Sequence, residues 1–136
     1  MKKILLVAML TVLCSRMVNA AEWLQVFASD TDQYFIDLSS IKKNNNGDVN
    51  AWFKRQIYKD TRKDGLTVGD YTLLLYQIDC NQSKYGIVSS QIYKDNKPLT
   101  NRGYVVKFVD MSPAIPETIG EGVVQRGCKA WELLNN

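Results

Sequence analysis

YTLLLYQIDC, residues 71–80, is the most apolar run of the chain beyond its N-terminal segment, and it closes on a cysteine. Three consecutive leucines, Leu73 to Leu75, make a strand here apolar on both sides, which places it in the middle of a sheet rather than at an edge. Alternate residues of a strand share a face, so Cys80 points the same way as Ile78, Tyr76 and Leu74. Near the C-terminus, Ile119, Val123, Val124, Gly127, Cys128, Trp131 and Leu134 recur at three- and four-residue intervals, the apolar stripe of a helix. Cys128 falls inside that stripe, so both thiols face one core. A bridge from Cys80 to Cys128 would clamp the helix onto one face of the sheet and stabilise the fold by about 4 kcal/mol in the chain-entropy description. A reactive thiol is the rival reading, but that role usually shows a close partner cysteine, as in C-x-x-C, together with a thiolate-stabilising setting, and no such pair of cysteines occurs here.

Working outward from that strand, the chain from residue 22 to residue 110 reads as short strands separated by turn signals. Residues 23–29 and 33–38 flank an Asp30-Thr31-Asp32 turn, and Asn46-Gly47 is the strongest hairpin signal. Residues 49–58 alternate Val49, Ala51, Phe53 and Ile57 with Asn50, Lys54 and Gln56, a strand with one dry and one wet side. A polar loop over residues 59–69 leads into the central strand. Strands over residues 85–93 and 104–109 follow, joined by a polar loop over residues 94–103. Pro116 suits the first turn of the helix. Gly120, Gly122 and Gly127 each lower helix propensity by about 1 kcal/mol, and they predict close approach to the sheet. The pattern is α+β: about six antiparallel strands with a C-terminal helix packed on one face.

MKKILLVAMLTVLCSRMVNA, residues 1–20, has the basic start, short apolar stretch and small-residue ending of a secretory signal peptide. Cleavage after Ala20 would leave a single domain over residues 21–136, exported to the periplasm or the outer cell surface. The apolar stretch is too short for a membrane span, and no second one follows. Leu13 stands where lipoprotein processing at Cys14 wants a small residue. With Cys14 removed, two cysteines remain, the even number that favours one disulfide in an exported chain. Loss of Lys2, Lys3 and Arg16 also cancels the whole formal charge of +3. The basic balance is therefore no argument for nucleic acid as a partner.

Histidine is absent, which excludes histidine-based triads and metal sites. The close acidic pairs Asp30 and Asp32, Asp60 and Asp64, and Glu117 and Glu121 all fall at turns or at the helix start, where acids serve local geometry. GEGVVQRGCK, residues 120–129, has neither of the glycine spacings that cradle phosphate. The sequence thus points to no catalytic group, no metal and no cofactor. The best binding candidate is the basic run KRQIYKDTRKDG, residues 54–65, in which Lys54, Arg55, Lys59, Arg62 and Lys63 could meet an acidic partner.

Taken together, EWLQVFASDTDQYFIDLSSIKK (22–43), AWFKRQIY (51–58), YQIDC (76–80) and SPAIPETIGEGVVQRGC (112–128) resemble the surface-adhesin protein E family of Gram-negative bacteria. The resemblance spans almost all of the chain after residue 21. It implies a six-stranded antiparallel sheet with a disulfide-tethered C-terminal helix, and a non-enzymatic binding role. Its founding member is a surface lipoprotein that can dimerise and that binds host matrix and plasma proteins. The implied partners are therefore host extracellular-matrix or plasma proteins, and a second copy in a homodimer. An alternative within the same fold is a periplasmic inhibitor or assembly partner of another envelope protein.

Overall fold

The computed structural model describes residues 20–60 and 63–136; the expected signal peptide, apart from Ala20, lies outside them. Six strands run antiparallel in the order β1 (Trp23–Ala28), β2 (Asp32–Asp37), β4 (Val49–Ile57), β5 (Tyr71–Asp79), β6 (Lys84–Lys94) and β7 (Lys97–Val105). Two short strands, β3 (Lys42–Lys43) and β8 (Ser112–Pro113), pair with β4 and β6. The three-leucine strand β5 is central, between β4 and β6, as its two-sided apolarity requires.

One face of this sheet is the core. Ile36 from β2, Val49, Ala51 and Phe53 from β4, and Leu74, Tyr76 and Ile78 from β5 are buried there with Val123 and Val124 of the helix α1 (Ile119–Leu134). Phe53 and Tyr76 meet edge to face with centroids 5.4 Å apart. Burial of the Tyr76 phenol pushes its pKa up. Cys80 and Cys128 form the expected disulfide, with Cα atoms 5.8 Å apart and a sequence separation of 48.

Gly120 and Gly127 explain why a helix poor in propensity forms here. A Cβ on Gly127 would run into the Cδ1 of Ile78, and one on Gly120 into the ring of Tyr85. The bare backbone brings the helix down onto the strands, and packing outweighs the propensity cost. The helix starts later than Pro116 suggests. Thr118 is the N-cap, its hydroxyl accepting from Glu121 N, while Glu121 Oε2 accepts from Glu117 N at 2.8 Å. That arrangement resembles a capping box and leaves Pro116 in the preceding turn. The stripe is less covered at its ends than its period suggests: Ile119 and Leu134 are 42% and 54% exposed.

The polar loop expected over residues 94–103 is instead part of a hairpin. Asp95 and Asn96 carry φ of 50° and 61°, and Lys94 pairs with Lys97 across them. Both residues tolerate the left-handed region, so a two-residue turn closes where composition alone suggested a loop. The strand expected over 104–109 accordingly begins at Lys97 and ends at Val105. Between Gln91 and Tyr93 the register shifts, and the Gln91 amide fills the irregularity by donating to Ile92 O and Leu99 O.

Candidate functional site

Strand periodicity divides the basic run that the sequence singled out. Lys54 and Arg55 are neighbours on β4 and therefore point to opposite sides of the sheet. Arg55 stands on the helix-bearing side, in register with Tyr34 and Thr72. Lys59 and Lys63 are exposed in the connection after β4, and Arg62 lies outside the described residues. The connection is held to the β6–β7 hairpin by Lys94 Nζ donating to Gly65 O at 2.7 Å. Asp70, at its end, accepts from Thr67 N and Asp95 N. Those two bonds hold the Asp70 carboxyl below the usual carboxylate range.

Lys54 lies on the face that the helix leaves open. Cross-strand pairing sets Gln25, Phe35, Lys54, Leu73, Gln91 and Gly103 in one row across all six strands. A second row runs through Gln33, Gln56, Tyr71, Tyr93 and Pro98, and a third through Trp52, Leu75, Ser89 and Val105. The open face is thus built from aromatic rings and amide or hydroxyl side chains, with one charge near its centre. Its aromatic residues are half-buried, supported by one another: Tyr71 stacks on Tyr93 with centroids 4.8 Å apart.

The Lys54 ammonium sits 4.7 Å from the ring centre of Phe35, 5.0 Å from that of Trp23 and 5.9 Å from that of Tyr71. The negative faces of these rings attract the cation. Partial burial still pulls its pKa down from the ordinary lysine value, because the rings replace only part of the lost hydration. Among the described residues no carboxylate and no hydrogen-bond acceptor reaches the Nζ atom. Asp37, at the end of β2, is turned into a local cap, accepting from Glu22 N, Ser39 N and Ser39 Oγ. The Lys54 ammonium therefore keeps donors free toward solvent.

Among the described basic candidates, Lys54 alone stands in these rows. Its aromatic partners Trp23, Phe35, Trp52, Tyr71 and Tyr93 escaped the sequence reading, which sorted β4 by its dry side and its polar residues. Phe35, Trp52 and Tyr71 carried a signal, since each occupies the strand parity opposite to the buried core residues of β2, β4 and β5; on β1 and β6 register shifts break the alternation and hide Trp23 and Tyr93. No group of three potential metal ligands occurs among the described residues, and none of their helices is long and apolar enough to cross a membrane.

Neither a search of curated proteins nor one of solved structures finds a match to this chain. Residues 23–129, which include every strand and the helix through its disulfide, match the family described as surface-adhesin protein E. Sheet order, tethered helix and sequence match coincide over the same residues: the chain belongs to the surface-adhesin protein E family.

Proposed function

We propose that this protein is an adhesin-like, non-catalytic binding module of the cell envelope, exported by cleavage after Ala20 and folded as one domain over residues 21–136. Its partners on this reading are host matrix or plasma proteins, met through the open face of the sheet. Family membership supports the adhesive role. The single observation that carries the choice of face is the Lys54 ammonium, held among three rings without an acidic partner. Such a surface offers aromatic contact area, which interfaces favour, around one positive charge that an acidic group of a partner can meet.

The test is attachment of the purified domain to immobilised matrix proteins. Saturable attachment that Lys54→Glu weakens, with the disulfide intact, is the expected result. Attachment no stronger than that of an unrelated domain of equal charge would reject the reading.

A second reading, an assembly partner or inhibitor of another envelope protein, is favoured by the outer edge of β7. Its backbone groups face away from β6, and Tyr104 and Val105 are 50% and 78% exposed. An exposed edge of this kind accepts an added strand. Recovery of a specific bacterial protein on the domain, lost when Val105 is replaced by proline, would favour this reading over host adhesion.

A further inference from the structure

We infer that the open face recognises an acidic polysaccharide chain, with an anionic group of the sugar on Lys54 and sugar rings lying against the neighbouring aromatic side chains. This deepens the proposed function and rests on its choice of face, because it names the chemical class of what the face meets.

Three features of the face lead to that class. A pyranose ring presents an apolar side of C–H groups, which are slightly positive and suit the negative face of an aromatic ring. Trp52 offers such a ring: it lies on the open side, half-buried, and among the described residues no acceptor reaches its indole N–H. Next, the polar groups interleaved with the rings are amides and hydroxyls rather than charges: Gln25, Gln33, Gln56, Ser89 and Gln91 in the three rows. Amides both donate and accept, which matches vicinal sugar hydroxyls. Gln56 and Gln91 have already committed their Nε2 groups to Gly69 O and to Leu99 O and Ile92 O, which fixes each side chain in place.

The third feature selects acidic over neutral sugars. Lys54 is the one cation in the central rows, without an acceptor and partly stripped of water. A carboxylate or sulfate arriving there gains a charge-assisted hydrogen bond in a setting where part of the desolvation has already occurred. A polypeptide would need side chains to supply both the flat apolar rings and the anion. A glycan of uronate or sulfated residues carries both on each repeat, and the row through Lys54 extends across all six strands, long enough for several sugars.

The test uses the full processed protein and three probes: an oligomer of uronic acid, a sulfated oligosaccharide of the heparin type, and a neutral glucan of equal length. Binding is followed by calorimetry and by tryptophan fluorescence. The acidic probes are expected to bind saturably and the neutral one more weakly by about tenfold or more, the value of one charge-assisted contact. Preference between the uronate and sulfate arms identifies the anionic group. Lys54→Gln should remove the difference between acidic and neutral probes, and Trp52→Phe, which keeps a ring and so spares the fold, should weaken every probe. The double variant Lys59→Gln with Lys63→Gln is expected to bind as the parent does. Retained acidic preference in Lys54→Gln, together with its loss in the loop double variant, would overturn the inference in favour of diffuse attraction by exposed lysines. Saturable attachment to matrix protein stripped of its glycans, with no binding of any probe, would overturn it too. In that case the polypeptide is the ligand and the adhesive function stands.

Discussion

Ile78 occupies the space that a side chain at position 127 would need, so this contact helps to set how close the helix comes to the sheet. Gly127→Ala should therefore destabilise the protein although alanine is the better helix former, by about 1–3 kcal/mol, the usual cost of overpacking. Urea unfolding measures it; a gain in stability would mean that the helix can lift without loss. Asp70 carries a second prediction at this scale. Its pKa is depressed in the fold by bonds from Asp95 N and Thr67 N, so in acid the unfolded chain binds more protons at this position than the folded one. The contribution is complete above the unfolded carboxylate value of about 3.9 and fades as pH falls through the lower folded value. Asp70→Asn should cost about 1–3 kcal/mol at neutral pH and flatten the acid limb of the stability profile. An unaltered limb would show that the two backbone bonds do not favour the ionised form.

Among the elements, the tether decides most. Helix α1 touches β4, β5 and β6 over one stripe, and Ile119 and Leu134 at its two ends are exposed. Its docking leans on the bond to Cys80. Replacing both cysteines with serine should lower stability by about 2–4 kcal/mol and loosen the helix before the strands, seen as faster amide exchange over residues 119–134. Uniform exchange throughout would assign helix docking to packing alone. Parity and period made this element legible: β5 alternates strictly, and the stripe from Val123 to Trp131 keeps to one side. The β6–β7 hairpin was not legible, because Asp95-Asn96 lacks the glycine that marks such turns and the register shift after Gln91 hides the alternation of β7.

For the whole molecule, what the sequence made plain is the half that excludes water. The core face follows from apolar alternation in β4 and from the parity that Cys80 shares with Ile78, Tyr76 and Leu74 in β5, and the helix from its stripe. The open face is harder to read, because its rings and amides show no charge run and its residues come from β1, β2, β4, β5 and β6. Lys54 stood out only as part of a basic cluster that the pleat then splits, sending Arg55 to the other side. Neighbours such as Trp23 and Phe35 become visible as a group once the strand order brings β1, β2 and β4 together. Binding surfaces on sheets are assembled across strands, so their meaning lies in register more than in any local motif.

The sulfur link also has a topological result. Because it joins the end of β5 to the middle of α1, strands β6, β7 and β8 lie inside one covalent ring. The exposed stretch around Phe108 belongs to that ring. A protease that nicks the chain there opens the ring without releasing a fragment, and the severed protein keeps both halves on one scaffold for as long as the sulfurs stay oxidised.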